Sequence, residues 1–183
     1  KLGEESASPE ANSDLEIRDR PTATLFVQNI YAGLEPYVKR GEIKRLRVVR
    51  ELPKTVRIHP DKRAFGFQFP VISCGATYAG KEVLGEVDVE PDGSACFHVP
   101  AGVPIYFMAL DEHGRAVQRM RSFTHLMPGE VQGCVGCHDT RTPLAPLQSG
   151  VGAVHGAAKN LEAPEWGLRG FDYAGIVQPV LDK

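Results

Sequence analysis

Residues 83–123 read VLGEVDVEPDGSACFHVPAGVPIYFMALDEHGRAVQRMRSF. Three runs rich in β-branched and aromatic residues (83–89, 95–99 and 105–110) and a fourth at 118–123 stand between polar punctuation. Glu90, Pro91, Asp92 and Gly93 form one such break, and Asp111, Glu112, His113 and Gly114 another. Both supply hairpin turn chemistry, with a glycine free to take positive φ. Strict alternation puts Ala95, Phe97 and Val99 on one face of a strand and Cys96 and His98 on the other. Upstream, 22–30 and 43–52 are two further strand candidates. Strands recurring at about 8–12 residues predict a mainly β domain, sandwich-like or a small barrel. After Phe123 the β pattern stops, and a loop-rich C-terminal segment is expected. The best helical stretch is 173–182, interrupted by Pro179.

The composition narrows the function classes. A net charge of −2 gives no overall electrostatic case for nucleic acid or an anionic membrane. No apolar run approaches the ~20 residues of a membrane span. Residues 1–20 hold six acidic and three basic side chains with few large apolar ones, and read as an extended arm or linker. Residues 21–147 form the β-rich domain, and 148–183 a Gly/Ala-rich linker and tail. The chain opens without an initiator Met or a signal-peptide pattern, so a mature form or a piece of a longer protein is expected. Between 39 and 54, seven bases (Lys39, Arg40, Lys44, Arg45, Arg47, Arg50 and Lys54) face Glu42 and Glu51. That run reads as a solvated strand face, with docking of an acidic partner as the functional alternative.

The chemistry sits at 134–138. Cys134, Val135, Gly136, Cys137 and His138 spell C-x-x-C-H, the c-type haem attachment signature. Two thiols three positions apart can add to the two vinyl groups on one edge of a porphyrin. The next residue, His138, then brings an imidazole nitrogen to the iron. A thioredoxin-type pair would open a helix, whereas Gly133 precedes the motif and Pro143 follows soon after. A zinc knuckle would need a second C-x-x-C or H-x-x-x-H, which this sequence lacks. One covalent haem c is therefore the expected cofactor.

For the second axial position the candidates are His125, His98 and Met127, in that order, and an open site is a further alternative. Met108 and Met120 read as core filler. His113 lies in a turn, while His59 and His155 are remoter candidates. Arg119, Arg121 and Arg141 are candidate contacts for haem propionates. Cys74 and Cys96 remain after haem attachment. They form a disulfide, stay as buried free thiols, or bind zinc together with His98.

From residue 31 to 183 the chain resembles the haem-bearing middle region of hydrazine synthase alpha-subunit-related proteins, a family of bacterial c-type haem proteins. The runs that carry the resemblance are IYAGLEPYVKRGEIKRLRVVRELPK (30–54), residues 83–130 and CVGCH (134–138). The tail EWGLRGFDYAGIVQPVLDK (165–183) resembles the lead-in to a following cytochrome c module. The resemblance implies a larger parent protein, an extracytoplasmic (periplasmic) location, and a zinc site near the haem in the related enzyme. It also implies, for that enzyme, a Tyr ligand shortly after the motif. Here Thr142 and Pro143 occupy that neighbourhood and the next Tyr is Tyr173, which favours ligation by His138. The expected function is electron transfer through the haem, with other cytochrome or multihaem subunits as partners. The alternatives are a haem enzyme with an open distal site acting on a small nitrogen or oxygen compound, or a haem-containing docking module of a larger complex.

Overall fold

The computed structural model describes residues 17, 19–52, 81–137, 152–154, 156–168, 175 and 177–182. Among these described residues seven strands follow in chain order: β1 (Thr22–Val27), β2 (Arg45–Glu51), β3 (Lys81–Asp88), β4 (Ala95–Pro100), β5 (Ile105–Leu110), β6 (Ala116–Arg119) and β7 (Val131–Cys134). They make two open sheets, one ordered β4-β1-β7 and the other β3-β2-β5-β6. The mainly β expectation holds. The closed-barrel alternative does not, because the strands split into two sheets with free edges.

The two sheets share one core. Alternation along β4 buries Ala95, Phe97 and Val99 and leaves Cys96 and His98 half-buried on the outer face, as the sequence pattern requires. The Phe97 ring meets Phe107 of the other sheet edge-on, with centroids 6.0 Å apart. Leu25, Val48 and Ile105 complete the contact with no exposed surface. Each such side chain contributes roughly 1.5–3 kcal/mol of burial free energy. The predicted turns form as well. Asp111 Oδ1 accepts the backbone N–H of His113 and of Arg115, both at 2.9 Å, and Gly114 takes φ +73°.

Three elements depart from the sequence reading. β6 begins at Ala116 rather than 118, because the Asp111–Gly114 turn is tight and returns the chain to β5 at once. β7 was not expected at all. Its four residues carry no alternation of their own, and it exists through parallel pairing with β1, Thr24 opposite Val131 to Val27 opposite Cys134. In the tail, α1 (Gln178–Leu181) carries Pro179 in its first turn instead of being interrupted by it. Proline is tolerated in a first turn, where its missing N–H has no helical partner.

One seam between the sheets is closed by the segment around residues 159–162. Lys159 pairs with the free edge of β4: its N–H donates to the Cys96 carbonyl and its carbonyl accepts from His98 N–H, both at 2.9 Å. Three residues on, Glu162 and Glu86 exchange two 2.8 Å backbone bonds along the free edge of β3. This strap passes so close to Gly85 (φ +149°) that a Cβ there would lie 2.6 Å from Leu161 Cβ.

The same seam takes up Arg45, Arg47 and Arg50 of the basic run and corrects the solvated-face reading for these three; Lys39, Arg40 and Lys44 are exposed as that reading expects, and Lys54 lies outside the described residues. Arg45 and Arg47 both bond the buried Glu86 carboxylate, at 2.8 and 2.6 Å. The Arg47 guanidinium also stacks on the Trp166 ring, 4.6 Å from its centroid. Arg50 is buried and pairs with Glu82. These cations are committed to internal carboxylates rather than to solvent or an acidic partner.

Candidate functional site

The opposite seam, between the edges β6 and β7, holds a cleft of about 1150 Å³. That is somewhat above the ~300–1,000 Å³ typical of small-molecule sites. One wall is the end of β7 with Cys134 to Cys137, and the facing wall is β6 with the turn that follows it, Val117 to Ser122. Phe107 and Leu46 contribute from the second sheet, and Leu34, Tyr37 and Val38 come from the β1–β2 connection.

That connection is rigid for a specific reason. Tyr31 is buried, and its hydroxyl accepts the Gly41 N–H at 2.8 Å and lies 3.2 Å from both the carbonyl and the N–H of Ile43. The phenol thus pins the returning chain from below. From this pinned turn, Gln28 N–H donates to the Cys134 carbonyl (2.8 Å) and Asn29 N–H to the Val135 carbonyl (2.9 Å). The parallel ladder therefore continues past the end of β7 into the motif. Gly136 lies against the same turn. A Cβ there would stand 2.6 Å from Ala32 Cβ, 2.7 Å from the Asn29 carbonyl oxygen and 2.8 Å from that of Ala32. The backbone between the two cysteines is thus seated by close packing that only glycine permits.

Both cysteines are half-buried and pack on the hydrophobic core. Burial pushes the Cys134 thiol above its ordinary value. Burial, with the neighbouring Cys134 adding to it, pushes Cys137 up to about 12. Neutral thiols on an apolar wall are poor thiolate metal ligands and poor redox nucleophiles. They suit thioether formation with an apolar partner held in the cleft. With the folded-state value raised, each thiol's contribution to stability is complete below the ordinary thiol range and is lost as pH rises from there through the raised folded-state value. At pH 8, Cys137 of the folded, haem-free chain should be alkylated by iodoacetamide ~1000-fold more slowly than an ordinary cysteine, speeding about tenfold per pH unit. Mass mapping of the labelled peptide checks this, and rapid labelling at pH 8 would contradict it.

The other sequence candidates fall in different places. Arg119 and Arg121 line the cleft with exposed side chains, where guanidinium groups can meet carboxylates at its mouth. His125 and Met127 are exposed and lie outside the lining, despite their closeness to the motif in sequence. His98 lies elsewhere, with Nδ1 3.3 Å from Thr24 Oγ1, in a second cavity of about 370 Å³ near the strap. Cys96 shares that outer face of β4, and burial raises its thiol pKa. Among the described residues no three His, Cys, Asp or Glu side chains come together as a metal site. His138, Arg141 and Cys74, and the more remote His59 and His155, lie outside the described residues. The residue that sequence reasoning set aside as filler, Met120, is in the cleft wall opposite the cysteines. Its signal was positional, since β6 ends facing β7, and no local pattern carries that.

The residues present fit a covalent porphyrin. The cleft is large and mainly apolar, carries two half-buried neutral thiols on one wall, and has arginines at its rim. Cys134 and Cys137 would hold the ring, and bound haem would supply a one-electron iron couple.

Comparison with known proteins agrees on kinship. Over residues 41–139 the sequence matches the family described as "Hydrazine synthase alpha subunit middle domain". It is 27% identical over 110 residues to hydrazine synthase subunit alpha of Kuenenia stuttgartiensis, covering 55% of this chain and 13% of that one. A solved structure of Kuenenia stuttgartiensis hydrazine synthase aligns over 65% of this chain and 18% of its own, with 23% identity and a TM-score of 0.46. The chain thus spans well under a quarter of either relative. More than half of it, including β2 to β7 and the two cysteines of the cleft, lies within one matched family, and the chain belongs to the hydrazine synthase alpha subunit middle-domain family.

Proposed function

We propose that this chain is a c-type cytochrome domain that passes electrons through one haem bound covalently by Cys134 and Cys137, within a larger, extracytoplasmic multihaem assembly. The observation that carries this reading is the shared cleft: both motif cysteines line a haem-sized, apolar opening between two sheet edges. His138 follows Cys137 directly and is the proximal ligand of this reading. Arg119 and Arg121, and Arg141 beyond them, balance the propionates. A rigid seat suits electron transfer, because iron that changes charge without moving its surroundings has little to reorganise. Tyr31 and Gly136 make the seat rigid. Other cytochrome or multihaem subunits are the partners of this reading. Zinc held by Cys74, Cys96 and His98 is a subsidiary proposal that the haem reading does not need.

Kinship favours a second reading. The relatives bear the name hydrazine synthase, so an open iron acting on a small nitrogen or oxygen compound is the competing function. The two separate in one experiment on chain matured with haem. Electron transfer predicts a reversible one-electron redox titration and a ferrous spectrum unchanged by carbon monoxide. Rapid, stoichiometric carbon monoxide binding would overturn it in favour of the enzyme.

A further inference from the structure

Resting on the haem reading above, we infer that Met120 is the residue that closes the distal side of the cleft, its thioether sulfur being the sixth ligand to iron. The cleft has two walls. Cys134 and Cys137 stand on the β7 wall, and the chain continues from them into His138. Met120 stands on the facing β6 wall, half-buried and packed against the same hydrophobic core as the two cysteines. A ring tethered to one wall presents its second face to the other.

The position of Met120 is fixed by backbone as well as by packing. Its N–H donates to the Phe107 carbonyl at 2.9 Å, extending the β5–β6 ladder one residue beyond Arg119. The side chain that leaves this anchored point is long, unbranched and polarisable, so it can reach and turn without moving the strand. Among the described lining residues there is no histidine. Besides the cysteines, the described lining side chains with a customary iron donor are Met120 and Tyr37. Tyr37 is 92% exposed and sits at the mouth, whereas Met120 lies within the wall. The three candidates favoured by sequence do not compete, because His125, Met127 and His98 all lie outside this lining. A thioether is a soft donor that favours ferrous iron and raises the potential of a His-ligated haem.

The test uses the full chain, matured with haem, as wild type, Met120→Ala, Met120→His and Met127→Ala. Wild type should show the weak far-red sulfur-to-iron charge-transfer band of ferric thioether ligation. Met120→Ala should lose that band while keeping its covalent haem. If Met120 closes the site in all but about one molecule in a thousand, its removal should tighten cyanide binding roughly a thousandfold. Met120→His should give a low-spin spectrum of bis-imidazole type and a lower potential. Met127→Ala should match wild type in every respect. A covalent haem whose band and cyanide affinity ignore Met120→Ala overturns the ligand assignment and leaves the haem reading standing. A chain that carries no covalent haem overturns both.

Discussion

Replacing Gly136 by Val is expected to destabilise the domain by roughly 3–4 kcal/mol. The first added carbon would already stand within 2.8 Å of two carbonyl oxygens and a methyl group of the 29–32 turn. Two of those three contacts are backbone, and the turn cannot retreat because Tyr31 is locked beneath it by Gly41 and Ile43. The strain must therefore go into the motif. The bonds from Gln28 and Asn29 to the Cys134 and Val135 carbonyls would lengthen, and the cysteines would lose register with the cleft. Urea unfolding should show a lower midpoint at an unchanged slope, which reports lost stability rather than a new unfolded state. Haem attachment should fall in parallel. Gly133→Ala is the control: a Cβ there meets nothing within 4 Å, so its effect should stay within about 0.5 kcal/mol. Equal effects at the two glycines would contradict the close-packed seat.

Glu86→Ala should cost about 3–5 kcal/mol, the usual effect of removing one partner from a buried ion pair. Its carboxylate is almost wholly buried and takes both Arg45 and Arg47. Alanine leaves the Arg47 side chain, 13% exposed, without its counter-charge. The damage should spread to the strap, since Arg47 also stacks on Trp166 and the Glu86 backbone pairs with Glu162. Trp166 is the single tryptophan of the chain, so its fluorescence reports that strap directly. A red shift before global unfolding is expected. The double variant Glu86→Ala with Arg47→Met should recover part of the loss, since the stranded cation is then gone as well. If Glu86→Ala costs under 1 kcal/mol, the seam is not held by this cluster.

What was legible in the sequence follows from the range of each interaction. The alternation of Ala95, Phe97 and Val99 is a local consequence of the pleat, and the Asp111–Gly114 turn carries its own chemistry. Both could be read directly. β7 could not, because Val131 to Cys134 form a strand through a parallel partner more than a hundred residues upstream. The strap was hidden for the same reason: Lys159 and Glu162 complete edges set by β4 and β3 rather than any pattern of their own.

At the cleft, the chemistry of Cys134 and Cys137 lay in their spacing, but the need for glycine at 136 is set by Asn29 and Ala32. Nearness along the chain did not foretell which side chains line the cleft. His125 and Met127 lie close to the motif in sequence and are exposed, whereas Met120 reaches the cleft because β6 faces β7 across the seam. Arg47 and Arg50 looked like surface cations until β3 brought Glu86 and Glu82 alongside them.

The most direct measurement is the intact mass of the chain produced in cells that mature c-type cytochromes, read with its pyridine haemochrome spectrum. A gain of roughly 0.6 kDa, a spectrum of two saturated vinyl positions, and loss of both in Cys134→Ser/Cys137→Ser are the predicted results. An unmodified mass with both thiols free, from cells that load a control cytochrome, would contradict the account.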